Sequence, residues 1–175
     1  MKNVIISGSP RKAANTQILM KYVYEYTKTK NQDTKLINLS DGNIDCYKGF
    51  DEEYNEETKT AANDIMDAYI WLIGTPIYNS FFSSALKNLF EYVNYKKTEG
   101  KVAGMVILGA GSISFVNVQT LVTQLLSYFR VTANPKAVFL TTESIKENSV
   151  LDEEAQIRLK EMVDGTLEMA SKLQK

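Results

Sequence analysis

Short apolar runs alternate with amphipathic stretches along the whole chain. Five mostly apolar runs have the length of β-strands. They cover residues 3–7, 34–39, 69–75, 102–110 and 136–141. After each run, apolar residues recur at spacings of three and four, which is the period of an α-helix. The stripe from Ile18 to Tyr26 is an example. The pattern predicts five strand–helix units in succession.

The strand-like runs predict a buried parallel sheet. The third run, YIWLIGT, is apolar along its whole length, as in strands covered on both faces. Strands that alternate with helices form parallel sheets with helices on both sides, and right-handed crossovers leave few strand orders. We therefore predict an α/β three-layer sandwich with five parallel strands in the flavodoxin-like order 2-1-3-4-5. No repeat or linker divides the sequence, so we expect one domain over residues 1–175.

The composition excludes several classes of site. The 175 residues include no histidine and a single cysteine, Cys46. Catalysis by Ser-His-Asp or Cys-His groups, histidine-based metal sites and cysteine clusters are therefore excluded, and we expect no metal. Lysine and arginine total 20 against 21 acidic residues, so the chain lacks the basic excess of a nucleic-acid binder. We expect Cys46 to be a small buried thiol.

The apolar runs do not predict a membrane protein. The longest of them, such as MVILGA, are far too short to cross a bilayer. Polar residues follow the first apolar stretch at once, which is unlike a signal peptide. We expect a cytoplasmic protein without a membrane partner.

The loop after the first strand, ISGSPRKAANT, has the composition of an anion site. In a sheet of this order, ligands bind beyond the carboxyl ends of the strands, near strands 1 and 3. The loop leads into a helix, whose first N–H groups and positive dipole attract anions. Ser9, Arg11, Asn15 and Thr16 add donors that suit a terminal phosphate. Alternatively, Asn15 or Thr16 is just a helix cap and Arg11 a solvated surface charge.

The loops after the third and fourth strands have the composition of a ring site. The turn TPIYN lifts Tyr78 and Asn79 to the sheet edge, an arrangement that suits a flat heteroaromatic ring. Alternatively, Tyr78 belongs to the core, and Ser80 or Ser83 caps the next helix. Phe81 and Phe82 are candidates for a lid or a subunit contact. In the loop GAGSISF, glycines permit close backbone approach, although such loops are common.

The three loops together resemble the NADPH-dependent FMN reductase family of the flavodoxin-like superfamily, which includes azoreductases and quinone reductases. The resemblance is carried by GSPRKAANT, TPIYNSFFSSALKNLFEYV, GAGS and ANPKAVFL. It implies non-covalent FMN, with NAD(P)H as co-substrate. The phosphate would be held by Ser9, Arg11, Asn15 and Thr16. The isoalloxazine would be lined by Pro76, Ile77, Tyr78, Asn79, Gly111 and Ser112. One departure is Ala14, where relatives often have serine or glycine.

The resemblance also implies a homodimer or homotetramer with the helix after PIYN at the interface. Our candidates for that contact are Leu86, Phe90 and Val93, and the alternative is that they belong to an ordinary core helix.

The implied activity is that of an FMN-dependent NAD(P)H oxidoreductase. A hydride would pass from nicotinamide to bound FMN and on to a small-molecule acceptor: a quinone, an azo compound or free flavin. No catalytic side chain is needed, because the flavin carries the chemistry. The alternatives are a one-electron flavodoxin-type carrier, although such carriers are usually acidic, and a non-catalytic FMN-binding sensor. A phosphorelay receiver is disfavoured, because the positions that need acidic residues read Ser-Gly-Ser and Gly-Thr-Pro.

Overall fold

The strands form one parallel sheet in the computed structural model, which describes residues 1–146 and 151–174. The strands are β1 (Asn3–Ser7), β2 (Thr34–Asn38), β3 (Ile70–Pro76), β4 (Val102–Gly109), β5 (Thr132–Ala133) and β6 (Val138–Thr141). Their order is β2-β1-β3-β4, and both β5 and β6 pair with β4. The predicted flavodoxin-like order is therefore confirmed, with one difference at the fifth position.

The fifth position of the sheet holds two short strands, where we predicted one strand over 136–141. The interruption contains Pro135, which has no N–H group to donate to the ladder. The side chain of Asn134 turns away from the sheet, and its Nδ2 donates to Thr166 Oγ1 at 2.9 Å. A proline and a polar side chain held by a helix thus divide the edge into β5 and β6.

The helices cover both faces of the sheet and enclose two apolar cores. They are α1 (Asn15–Lys30), α2 (Glu56–Asp67), α3 (Ser84–Glu91), α4 (Phe115–Tyr128) and α5 (Glu153–Leu173). Residues of α2, α3 and α4 share one core, and residues of α1 and α5 share the other. Side chains alternate along β1, so Val4 and Ile6 enter the first core and Ile5 enters the second. This is the predicted three-layer sandwich.

The three residues predicted to form a subunit contact lie inside the first core. Leu86, Phe90 and Val93 are only 0%, 2% and 7% exposed within the single chain. Phe90 packs against Trp71, with ring centroids 5.6 Å apart, and the Trp71 indole donates to the Ile65 carbonyl at 2.9 Å. The assignment of these three residues to a subunit interface is wrong, because their side chains are buried in the core of their own chain.

A buried cation closes the end of α2. Lys101, which precedes β4, is 7% exposed, and its Nζ donates to the carbonyls of Met66 and Ala68, each at 2.6 Å. Carbonyls at a helix C-terminus have no partner within the helix, and a cation there is favoured by the dipole. Burial lowers the pKa of the Lys101 ammonium below its ordinary 10.5, against a smaller opposing effect of Asp67.

Among residues 1–146 and 151–174, none of the helices combines the length and the apolarity that a membrane span requires.

We predict that Lys101→Met destabilises the fold by about 2 kcal/mol, because the two carbonyls lose a buried donor. Since the pKa is lowered on folding, the unfolded chain binds more protons in the interval just below pH 10.5. The contribution of Lys101 to stability therefore increases as the pH rises through that interval. Urea unfolding at pH 7 and pH 10 checks both statements. The exposed Lys97→Met is the control, and an equal stability difference at the two pH values would contradict the linkage.

Candidate functional site

The loops after β1, β3 and β4 surround a cavity at the carboxyl edge of the sheet. Its volume is about 370 Å³, within the range of small-molecule sites. The parallel register brings the loops together, since Ser7 pairs with Gly74 and Pro76 pairs with Leu108. The cavity therefore lies where the strand order placed the ligand site.

Seven of the ten predicted site residues line this cavity. They are Ser9, Arg11, Asn15, Thr16, Pro76, Ile77 and Tyr78. Asn79, Gly111 and Ser112 do not line it and are exposed in the adjoining loops. Six further residues line the cavity without having been predicted to do so, namely Ala13, Ala14, Leu108, Gly109, Ala110 and Thr142. Thr142 could have been found, because it follows the last strand at the same edge of the sheet.

The N-terminus of α1 opens onto the cavity without a side-chain cap. The helix begins at Asn15, and the N-cap residue is Ala14, which makes no side-chain hydrogen bond. The alternative that Asn15 or Thr16 caps the helix is therefore wrong. The first turn of α1 contains no acidic residue, so neither a cap nor a carboxylate competes for its positive end. These N–H groups form a ready anion site.

The first loop is held against β3 by a close backbone contact. The Gly8 N–H donates to the Gly74 carbonyl at 2.8 Å. A Cβ on Gly8 would lie 2.6 Å from that carbonyl oxygen, so the position requires glycine. Farther along the loop, Ala13 has a φ of 52°, a left-handed conformation that non-glycine residues adopt only under external constraint.

Ser9 connects the anion corner to the aromatic wall. Ser9 is 1% exposed, and its hydroxyl lies 3.1 Å from the Tyr78 hydroxyl. The same hydroxyl accepts a hydrogen bond from the backbone N–H of Arg11 at 3.3 Å. Arg11 is exposed at the cavity wall. Within the described ranges no carboxylate forms an ion pair with its guanidinium. This charge is therefore free to meet an anion.

The loop after β3 forms a two-residue turn. Tyr78 and Phe81 exchange backbone hydrogen bonds of 2.8 and 3.0 Å, and Asn79 and Ser80 have φ values of 49° and 65°. These are the features of a type I′ turn. Tyr78 is half-buried and lines the cavity, so it is not an ordinary core residue.

The flanking residues resolve the remaining alternatives for this loop. Ser83 caps α3, accepting from the Leu86 N–H at 3.1 Å, whereas Ser80 does not cap a helix and instead contacts Ser114. Phe81 is 56% exposed, while Phe82 packs partly buried against the core.

The third loop approaches the cavity one or two residues earlier than predicted. Gly109 and Ala110 line the wall, while Gly111 and Ser112 face solvent. A Cβ on Gly109 would lie 2.5 Å from the Gly111 carbonyl, so the chain folds back sharply at this glycine. The sharp reversal moves the two predicted residues away from the cavity.

The prediction for Cys46 is wrong. Its thiol is free and exposed, in the long irregular segment between β2 and α2, where no sheet covers it. In the described parts of the chain, histidine, cysteine and carboxylate side chains form no group of three that could hold a metal ion.

Comparison with known proteins assigns the family. The sequence matches the NADPH-dependent FMN reductase family over residues 1–145. The chain belongs to this family. The resemblance stated from the three loops is thereby confirmed. The family also confirms the predicted oxidoreductase class and the pairing of FMN with NAD(P)H.

Two curated relatives are similar over most of the chain. An NAD(P)H-dependent FAD/FMN reductase of Geobacillus thermodenitrificans is 28% identical over 132 residues, which cover 74% of this chain and 71% of the relative. An FMN-dependent NADPH-azoreductase of Staphylococcus aureus is 26% identical over 119 residues, which cover 65% of this chain and 63% of the relative.

Solved structures share the fold. The apo form of an NADH:FMN oxidoreductase (EMOB) superposes with a TM-score of 0.79 at 17% identity, over 95% of this chain and 89% of that one. FerB from Paracoccus denitrificans, a flavoenzyme NAD(P)H:(acceptor) oxidoreductase, gives 0.78 at 21% identity, over 98% of both chains. These likenesses confirm the flavodoxin-like architecture.

We predict that Gly8→Ala lowers the free energy of unfolding by roughly 1–3 kcal/mol, because the new methyl group forces β1 away from the Gly74 carbonyl. Gly111→Ala is the matched control. A Cβ on Gly111 meets no atom within 4 Å, so its effect should stay within about 0.5 kcal/mol. Urea denaturation of the two variants checks the difference, and equal stabilities would remove the steric argument.

Proposed function

We propose that this chain is an FMN-dependent NAD(P)H oxidoreductase that reduces a flat aromatic acceptor: a quinone, an azo compound or free flavin. The observation that carries the proposal is the uncapped N-terminus of α1 in the cavity, beside Ser9 and Arg11 and next to the Tyr78 wall. Anion donors and an aromatic wall thus adjoin each other in one cavity, with Ser9 and Tyr78 in contact, and FMN requires both kinds of group.

The lining residues fit FMN in two groups. The phosphate would be held by Ser9, Arg11, Asn15, Thr16 and the first N–H groups of α1. The isoalloxazine would be lined by Pro76, Ile77 and Tyr78, while Asn79, Gly111 and Ser112 stand outside the cavity in the adjoining loops. To these we add the backbone of Gly109 and Ala110, which form the wall between the second and third loops.

The chain's own residues bind and orient, and none of them needs to exchange a proton. Bound FMN supplies the hydride chemistry. Residues 77–86 and 102–129, which include the ring-side loops, contain no charged side chain. Neutral loops keep the ring surface accessible to uncharged aromatic acceptors, and the polarity there comes from backbone groups and from neutral side chains such as those of Ser80 and Asn117. Two relatives, one an azoreductase and the other an FAD/FMN reductase, support acceptors of these kinds.

The one-electron carrier is the second candidate function. An archaeal flavodoxin shares the fold with a TM-score of 0.68 at 11% identity over all of both chains, so the architecture suits either role. The net charge of −1 favours the reductase, because carriers are usually acidic. Four further statements stay predictions: the sensor alternative, the cytoplasmic location, the single domain over 1–175, and the homodimer or homotetramer.

We predict that the purified protein binds FMN and that anaerobic NADH or NADPH bleaches its visible absorption within seconds. Subsequent addition of a quinone should restore the colour. Stopped-flow absorbance measures both steps. Persistent yellow colour after nicotinamide addition would favour the carrier or the sensor, and failure to bind added FMN would refute the cofactor assignment.

We predict that Arg11→Ala weakens FMN binding roughly 10- to 100-fold, the effect of losing one charge-assisted hydrogen bond. Riboflavin lacks the phosphate, so its affinity should not change. Lys12→Ala is the matched control, because Lys12 is an exposed cation in the same loop that does not line the cavity. Flavin fluorescence titration measures the affinities. Equal FMN affinity in the Arg11 variant and the wild type would remove Arg11 from the site.

A further inference from the structure

Two side chains at the start of α4 bind the neighbouring loop and leave their own helix uncapped. Ser114 is the N-cap residue of α4 but makes no side-chain cap bond, and its φ is 71°. A capping serine is normally extended and accepts from an N–H of the helix that it precedes. The Ser114 hydroxyl instead lies 2.7 Å from the Ser80 hydroxyl in the turn after β3.

Asn117 reaches the same residue of the turn. It occupies the third position of α4, and its Nδ2 donates to the Ser80 carbonyl at 2.7 Å. Asn117 is exposed, so water could satisfy its amide equally well, and burial does not explain the contact. Ser80, Ser114 and Asn117 together form a small polar cluster, which we call the latch.

The latch contacts a turn whose two central residues have an unfavourable left-handed backbone conformation. Asn79 and Ser80 are consecutive non-glycine residues with positive φ, and each such residue costs free energy that surrounding contacts must offset. Both contacts converge on Ser80, the second residue of this pair. Two hydrogen bonds from the start of α4 therefore oppose relaxation of this backbone.

The turn in question positions the aromatic wall of the cavity. Tyr78 opens the turn and lines the cavity, where its hydroxyl lies 3.1 Å from that of Ser9. A continuous series of contacts therefore runs from Asn117 through Ser80 and Tyr78 to the first loop. A displacement of Ser80 would move Tyr78 and Asn79, while the N-terminus of α1 would stay in place.

We propose that Asn117 and Ser114 are positioning residues for the isoalloxazine, acting through the Tyr78–Phe81 turn. The inference rests on the proposed function, in which this cavity binds FMN. Loss of the latch releases the Tyr78 wall, whereas Arg11 and the N-terminus of α1, which the latch does not contact, stay in place. Riboflavin and FMN should therefore lose affinity by the same factor, in contrast to the phosphate-dependent effect of Arg11.

Two variants of Asn117 separate positioning from helix stability. Asn117→Asp and Asn117→Ala both lack the donor for the Ser80 carbonyl. A carboxylate in the first turn interacts favourably with the helix dipole, so the Asp variant should melt at or above the wild-type temperature. The Ala variant has no such gain. If both variants lose flavin affinity but differ in melting temperature, Asn117 acts by positioning the turn. A purely structural role would make flavin affinity follow the stability of the variant.

The experiment measures riboflavin and FMN binding by fluorescence titration, together with the absorption spectrum of bound riboflavin. We expect both Asn117 variants to bind either flavin about tenfold more weakly, with an altered bound-state spectrum. Ser114→Gly, which tolerates the positive φ but lacks the hydroxyl, should show a loss in the same direction. Gln124→Ala, at an exposed position of the same helix, is the control and should bind as the wild type does.

The measurements distinguish a failure of the latch proposal from a failure of the proposed function. Wild-type protein that binds neither flavin overturns the proposed function and the latch together. Wild-type protein that binds both flavins, with Asn117→Asp and Ser114→Gly binding equally well, overturns the latch alone. A loss confined to FMN in the Asn117 variants also overturns it, because the latch would then act on the phosphate.

Discussion

The site depends on the backbone contact between Gly8 and Gly74, where the carboxyl ends of β1 and β3 meet without intervening side chains. The Gly8 carbonyl also accepts from the Ser83 hydroxyl, which caps α3, and Met20 of α1 occupies the space that a side chain on Gly74 would need. These three contacts together fix two strands and two helices relative to each other. The cavity begins one residue beyond it, at Ser9.

Helix capping divides the described helices into two groups. Asn55, Ser83 and Asp152 cap α2, α3 and α5 with their side chains, whereas α1 and α4 begin without such a bond. A missing cap costs about 1 kcal/mol of stability. The two uncapped helices follow the first and third loops, and in natural proteins local rules are broken most often at functional sites. At α1 the free donors open onto the cavity, and at α4 the side chains of Ser114 and Asn117 contact Ser80 instead.

Charge also differs between the loops around the cavity. The first loop contributes Arg11 and the positive end of α1, while residues 77–86 and 102–129 are uncharged. The chain as a whole has a net charge of only −1, so this polarity is local. A ligand that joins a compact anion to a neutral flat ring satisfies both groups of loops at once. In such a site the protein selects and orients, and the cofactor reacts.

The sequence by itself determined the α/β class, a short list of strand orders and the loops that form the site, because hydrophobic period and strand–helix alternation are local properties of the chain. Tertiary structure decided everything that depends on which distant segments meet. It buried Leu86 in the chain's own core, left Cys46 exposed, split the fifth strand at Pro135, and placed Gly109 in the wall ahead of Gly111. Burial and loop direction are set by neighbours across the fold, and a linear pattern carries no record of those neighbours.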